Sequence, residues 1–183
     1  MNEGSVVLLD EAGMRRALAR IAYEIIERSG SALDELSLVG VRTRGYDLAL
    51  RLVARIAEIE QVGIPCHALD VSSFRDDIST SALLPRQQLD PTFLGAIDKR
   101  RIILVDDVLF TGRTVRAALD ALTTGARPSL IQLAVLIDRG HRELPIRPDY
   151  VGKNIPTARS ERVRVHVVER DQKDDVILQK RGW

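Results

Sequence analysis

The stretch Arg101-Ile-Ile-Leu-Val-Asp-Asp-Val-Leu-Phe-Thr-Gly-Arg-Thr114 decides the fold. Its first half, Ile102 to Val105, is four apolar residues without alternation, the pattern of a strand buried on both faces. The strand delivers two acids, Asp106 and Asp107, to its carboxyl end. A short loop with Thr111, Gly112 and Thr114 then opens a helix that runs to about Leu122. In open α/β sheets, ligands bind at the carboxyl ends of strands. A helix N-terminus offers unpaired N–H groups and a positive dipole end, which favour phosphate. Gly112 lets backbone approach closely, and the threonines add hydroxyl donors. The acids repel phosphate and suit sugar hydroxyls or a hydrated Mg²⁺. The residues alone therefore suggest a sugar phosphate. An acidic strand end followed by an N-capping Thr is the competing structural reading.

Outward from this stretch the pattern repeats. Met14, Leu18, Ile21 and Ile25 form an apolar stripe on a helix from Glu11 to Arg28, with Arg16, Arg20, Tyr23 and Glu27 on another face. Leu36 to Val41 reads as a strand ending in a polar turn, Arg42-Thr43-Arg44-Gly45. A helix from Tyr46 to about Gln61 follows, with Leu48, Leu52, Ile56 and Ile59 inward. His67 to Ser73 reads as a strand. Arg75 to Asp98 lacks periodicity and reads as a long excursion that includes a short hairpin. Leu130 to Ile137, Val163 to Glu169 and Val176 to Gln179 complete the strands. Strands alternating with helices predict an α/β fold, a mostly parallel central sheet flanked by helices.

The chain has 183 residues, which fits one domain spanning 1–183. Lys and Arg number 27 against 26 Asp and Glu, so any nucleic-acid binding needs a local patch. The lone Cys66 excludes an internal disulfide and a zinc cage. No apolar run reaches membrane-spanning length, and Met1 to Asp10 lacks the apolar core of a secretory signal, so a cytoplasmic protein without membrane contact is expected. Gly-x-x-x-x-Gly-Lys-Ser/Thr and Gly-x-Gly-x-x-Gly are absent, as is any Ser or Cys nucleophile motif. His67, His141 and His166 lack metal-ligand spacing.

Ile102 to Thr114 resembles the phosphoribosyl pyrophosphate (PRPP) signature of type I phosphoribosyltransferases. The resemblance extends further. Val41-Arg-Thr-Arg-Gly45, Asp138-Arg-Gly-His-Arg-Glu-Leu-Pro-Ile-Arg147 and Val151-Gly-Lys-Asn-Ile-Pro-Thr157 are similar to one branch of that class, the bifunctional pyrimidine-operon regulators that are also uracil phosphoribosyltransferases. It covers Arg15 to about Glu169. It implies the type I fold with a small hood and a mobile loop, and the reaction of uracil and PRPP to UMP and diphosphate, a glycosyltransferase step. Mg²⁺ would travel with PRPP rather than occupy a site of the chain's own. Asp106 and Asp107 would hold the ribose hydroxyls and stabilise positive charge on the ring. Val108, Leu109, Phe110, Thr111, Gly112, Arg113 and Thr114 would cradle the 5′-phosphate. Thr43, Arg44 and Gly45 match the diphosphate loop, with Arg44 catalytic beside the leaving group and Gly45 accommodating an unusual backbone there. A solvated turn arginine is the alternative for Arg44. Ile137, Arg139 and the region of Val163 would read uracil, chiefly through backbone groups.

Arg75, Asp76 and Asp77 match the mobile loop, although Ser73-Phe74 stands where the family has Leu-Tyr. Phe110 replaces a Tyr. The family also binds pyrimidine-operon leader mRNA, with UMP or UTP strengthening the complex and promoting attenuation, usually of transcription, with translational control the alternative. Arg15, Arg16, Arg20 and Tyr23 on the first helix, with Arg142, Arg147 and Lys153, would form that surface if the regions meet. Tyr23 stands where the family commonly has His. A solvated face or internal ion pairs is the alternative for these arginines. A homodimer pairing into a tetramer is implied. A catalyst without RNA binding, a regulator without catalysis, and a different base such as hypoxanthine are the competing functions.

Overall fold

A computed structural model describes residues 5–74 and 89–180 of the chain. Arg75, Asp76 and Asp77, and the hairpin expected after them, lie outside the described residues. The order is β1 (Ser5–Leu9), α1 (Glu11–Ser29), β2 (Leu36–Val41), α2 (Arg44–Glu60), β3 (Cys66–Leu69), α3 (Pro91–Ile97), β4 (Arg101–Leu109), α4 (Arg113–Thr124), β5 (Leu130–Asp138), β6 (Tyr150–Asn154), β7 (Arg162–His166), α5 (Val168–Asp171) and β8 (Asp175–Gln179), with 3-10 turns at Gly30–Glu35 and Ser72–Phe74.

Five strands form a parallel sheet in the order β3-β2-β4-β5-β6. Successive side chains on a strand face opposite ways, so the sheet has two apolar faces. Ile103 and Val105 of β4, with Leu36 and Leu38 of β2, pack against Met14, Ile21 and Ile25 of α1 and Leu48, Leu52 and Ile56 of α2. Ile102 and Leu104, with Val39 and Val41, pack against Val115, Ala118, Ala121 and Leu122 of α4 and Ile97 of α3. A second, antiparallel sheet, β1-β8-β7, forms the hood. The fold is therefore the α/β, helix-flanked parallel sheet with a small hood.

Several boundaries differ from the sequence reading. α2 begins at Arg44, so Arg44-Gly45 is a first helical turn rather than part of the polar loop. Ile59 is only half-buried. β3 ends at Leu69, opposite the end of β2 at Val41, and Asp70 Oδ1 then accepts the Ser72 N–H and starts a turn. The expected excursion contains α3, whose start is written in Asp90-Pro91: the Asp90 carboxylate caps the Thr92 N–H, and Pro91 stands in the first turn. β7 stops at His166, where α5 follows after one residue. β1 and β6 have no counterpart in the sequence reading.

Candidate active site

β2 connects through α2 to β3 on one side, while β4 leads to β5 and β6 on the other. The sheet order thus reverses between β2 and β4, and the crevice beyond their carboxyl ends is where such a sheet binds ligands. Arg42 to Gly45 leave β2 there, and Asp106 and Asp107 lie near the end of β4.

Two helices start at this crevice. The N-cap of α2 is Thr43 and that of α4 is Gly112, at φ 93°, and neither supplies a side-chain hydrogen bond. By contrast, Asp10 caps α1 and Asp90 caps α3. An α-helix leaves its first N–H groups without intrahelical partners, so the two helices aimed at the crevice keep amide donors for an anion. The long contact from Arg113 N–H to Thr111 Oγ1, at 3.4 Å, is the local substitute at α4.

α2 lies close on the strands. A Cβ on Gly45 would stand 2.6 Å from the Val105 carbonyl oxygen and 3.1 Å from Asp106 Cα. Gly45 therefore sets the distance between the Arg42–Gly45 segment and the two acids. The Arg42–Thr43 peptide bond is cis. What Gly45 supplies is close packing of α2 on β4.

The Asp107 N–H donates to Asp106 Oδ1 at 2.9 Å, and the Val108 N–H to Asp107 Oδ1 at 2.8 Å. Burial pushes the Asp107 carboxyl above the usual carboxylate range, against the pull of the Val108 N–H and the Arg44 charge. Arg44 is half-buried and forks onto Asp171 of α5, with Nη2 to Oδ1 at 2.8 Å and Nε to Oδ2 at 3.2 Å. It is not the solvated turn arginine of the alternative reading. The pair holds the Asp171 carboxyl below its ordinary range. Asp171 lies 127 residues from Arg44, and nothing in the sequence pairs them.

The loop Phe110 to Thr114 borders a cavity of about 320 Å³. Val108 and Leu109, expected in the cradle, close β4 where they pair with Ile137 and Asp138; both border this cavity, with the Leu109 side chain turned into the core. The segment after β5 carries the loop. Thr111 O accepts the N–H groups of Glu143 and Leu144, and Phe110 O accepts Arg142 Nη1. Glu143 pairs with Arg113 and Arg159 at 2.8 and 3.1 Å, and it borders the cavity, a neighbour that sequence reasoning missed.

A second cavity, of about 650 Å³, lies beyond β5 and β6 and is bordered by Arg139, Arg147, Asn154 and Thr157. Arg139 is buried, stacks 4.0 Å from the Phe110 ring centroid, and donates to Thr157 Oγ1 and Ala158 O. Burial lowers its pKa. Ile137 and Val163 do not border it. Ile137 is fully buried between Val108 and Lys153 of the neighbouring strands, and Val163, on hood strand β7, packs into the core.

α1 packs along β6, so the two basic regions do meet. Arg20 donates to the carbonyls of Val151, at 3.0 Å, and Gly152, and Arg28 to that of Asp149. Arg15, Arg16, Tyr23, Arg147 and Lys153 are exposed, with Lys153 Nζ also reaching Leu8 O. Arg142 differs. It binds Asp138, Phe110 O, Gly140 O and Ile146 O, so it is an internal strut and not part of an open cationic patch.

The phosphoribosyl transferase domain model matches residues 7–172, and the chain belongs to that family. The likeness is closer to one branch. The chain is 55% identical over 177 residues to the "Bifunctional protein PyrR" of Brevibacillus brevis, covering 95% of this chain and 96% of that protein. It is 55% identical over 180 residues to the protein of the same name from Deinococcus deserti, covering 97% and 96%. Within the family it is thus one of the PyrR proteins. Among solved structures, a Trypanosoma cruzi hypoxanthine phosphoribosyltransferase superposes with TM-score 0.75 at 22% identity, covering 98% of this chain and 94% of that one. At that identity the likeness concerns the fold. Among the described residues, no helix is long and apolar enough to cross a membrane.

Proposed function

We propose that the chain, acting as one domain over 1–183, is a uracil phosphoribosyltransferase and a pyrimidine-operon regulator. It converts uracil and PRPP to UMP and diphosphate. It also binds pyrimidine-operon leader mRNA, more tightly with UMP or UTP, to promote attenuation. The observation that carries the reading is the crevice with two helix N-termini on either side of Asp106-Asp107, in a chain of PyrR ancestry.

In this reading each part of the substrates has a place in the crevice. The 5′-phosphate takes the amide groups at the start of α4, with the Thr111 and Thr114 hydroxyls. The diphosphate takes the start of α2, with Thr43 and Arg44. The ribose lies between, its hydroxyls donating to Asp106 and Asp107. Uracil enters beside Arg139 at the end of β5. As uracil N1 bonds to C1′, giving up its proton to the departing diphosphate or solvent, and the bond from C1′ to the diphosphate oxygen breaks, positive charge builds on the ribose ring and negative charge on the leaving group. Fixed carboxylates on one side and fixed donors on the other stabilise that separation without reorganising. Carboxylate oxygens also suit a hard cation, and Mg²⁺ bound with PRPP supplies further neutralisation of the diphosphate. Arg75, Asp76 and Asp77 would close over the substrates and exclude water.

The RNA surface rests on Arg15, Arg16, Tyr23, Arg147 and Lys153, with Tyr23 offering a ring to an unstacked base. Arg20 borders it while tying α1 to β6. Homo-oligomers would repeat the patch. The test has two arms. Labelled uracil must become UMP only when PRPP and Mg²⁺ are present. Filter binding of a pyrimidine-leader stem-loop at fixed salt must tighten when UMP is added. Hypoxanthine outcompeting uracil would refute the substrate, and RNA affinity indifferent to UMP would leave a catalyst alone.

A further inference from the structure

The pair between Arg44 and Asp171 stands apart from the other ion pairs of the site. A planar guanidinium recognises carboxylate and phosphate through the same two-pronged geometry. Asp171 occupies two of the Arg44 donors, Nε and Nη2, in that geometry. The same guanidinium is near enough to pull the Asp107 carboxyl down against its burial. Asp171 is itself fixed. Its Oδ2 accepts the Val167 N–H at 2.9 Å. α5 is clasped to α2 independently of Arg44, through Asp47 with Arg170 and through Arg51 with Glu169 and Asp174. Arg44, Asp47 and Arg51 share one face of α2 at helical spacing. The carboxylate of Asp171 therefore stays in place whether or not Arg44 is bound to it.

We propose that Asp171 is a positioning residue that serves as an internal stand-in for the diphosphate group, holding Arg44 oriented until diphosphate displaces it. The inference rests on the assignment of Arg44 to the diphosphate. Arg44 is ordered before substrate arrives, so less freedom is lost on binding. The cost is competition. A negative charge sits at the guanidinium that the diphosphate must capture, and it weakens binding of both substrate and product. After the reaction the carboxylate is at hand to retake Arg44 as diphosphate leaves.

The test is calorimetric titration of inorganic pyrophosphate with Mg²⁺ into wild type, Asp171→Asn, Arg44→Gln and the double variant. Asn keeps an oxygen for the Val167 N–H, so the turn at α5 is retained. D171N should bind pyrophosphate about tenfold more tightly, the scale of removing one charge a few ångströms from a polyanion. Its KM for PRPP should fall and its kcat should fall with slower product release, while the KM for uracil holds. In the R44Q background, D171N should change the affinity less than twofold. A Kd for D171N within twofold of wild type, or weaker, overturns the proposal. So does an undiminished tightening in the R44Q background. The wild-type protein gives a second readout, since the Arg44 Nε–H resonance should shift when pyrophosphate saturates the site. An unmoved resonance also overturns it. Failure of wild type to make UMP would instead refute the uracil phosphoribosyltransferase reading.

Discussion

Gly45→Ala sets two opposed effects against each other. In a helix, Ala is favoured over Gly by about 1 kcal/mol. At position 45 the new Cβ would stand 2.6 Å from the Val105 carbonyl oxygen, with backbone as the obstacle. Ordinary contact there begins at 3.4 Å, against 2.6 Å for the new Cβ, so α2 or β4 must shift by about 0.8 Å. Forced overpacking against an unyielding neighbour costs about 1–3 kcal/mol. The clash should win, leaving a net loss of up to about 2 kcal/mol, or a fall in Tm of up to roughly 8 °C for a domain of this size. The larger effect should be on turnover, because the shift separates the diphosphate segment from Asp106 and Asp107. A displacement approaching 1 Å costs about 10²-fold where reacting groups must be aligned. Gly95→Ala in α3 is the control, since nothing lies within 4 Å of its Cβ. It should stabilise by about 0.5–1 kcal/mol with unchanged kinetics. Thermal unfolding and UMP synthesis on all three proteins decide the matter. A G45A protein at least as stable as wild type, with normal kcat/KM, would refute the view that this glycine fixes the crevice width.

Further expectations follow from the same geometry. Asp107→Asn should lower UMP synthesis by at least about tenfold with the circular dichroism spectrum intact, the scale of losing one electrostatic contact in the transition state; unchanged turnover would remove Asp107 from the ribose site. Arg142→Ala should lower stability by ~1–3 kcal/mol in urea unfolding, because Asp138 and three carbonyls lose their donor; an unchanged midpoint would return Arg142 to the open RNA surface. Arg16→Ala should weaken leader RNA binding and flatten its salt dependence by about one unit of slope, with uracil kinetics unaltered. Arg51 and Arg44 hold Glu169 and Asp171 below their ordinary pKa. Each contributes stability that is present above its unfolded-state pKa, near 4, and lost as pH falls through the folded value. Glu169→Gln should therefore shrink the loss of stability between about pH 5 and pH 2, and an identical acid profile would show that the pair contributes nothing.

The parallel sheet was legible because Ile102–Val105 and Leu36–Val41 are buried on both faces, which leaves apolar runs without alternation, unbroken in the first and interrupted in the second only by Ser37 and Gly40. α1 and α2 were legible from their stripes. β1 escaped because Val6 and Val7 are exposed on an edge strand, so no apolar alternation marks it. β6 escaped because Lys153 and Asn154 face solvent. α3 was readable in principle from Asp90-Pro91, but seven residues make too short a stripe. At the site, the local chemistry of Asp106 to Thr114 was legible, since acids, loop and helix start are consecutive. The partners of those groups were not. Asp171 meets Arg44 and Glu143 meets Arg113 across separations that carry no periodicity. For Arg142 the sequence left an open basic patch and an internal pair as alternatives, and burial settles on the pair.

The pairing of β1 with β8 has a kinetic consequence. Ser5 lies opposite Gln179, so the hood joins residues from nearly opposite ends of the chain. During synthesis the five-stranded sheet is finished once β6 has emerged, while β1 waits for a partner more than a hundred residues downstream. Contacts of such long range form late, because loop closure precedes their reward. The hood also brings α5, and with it Asp171, to the crevice. A growing chain would thus complete its phosphate-binding helix starts first and gain control over Arg44 last. Val6 and Val7 remain an unpaired edge for all of that interval, the segment of the nascent protein most exposed to misassembly.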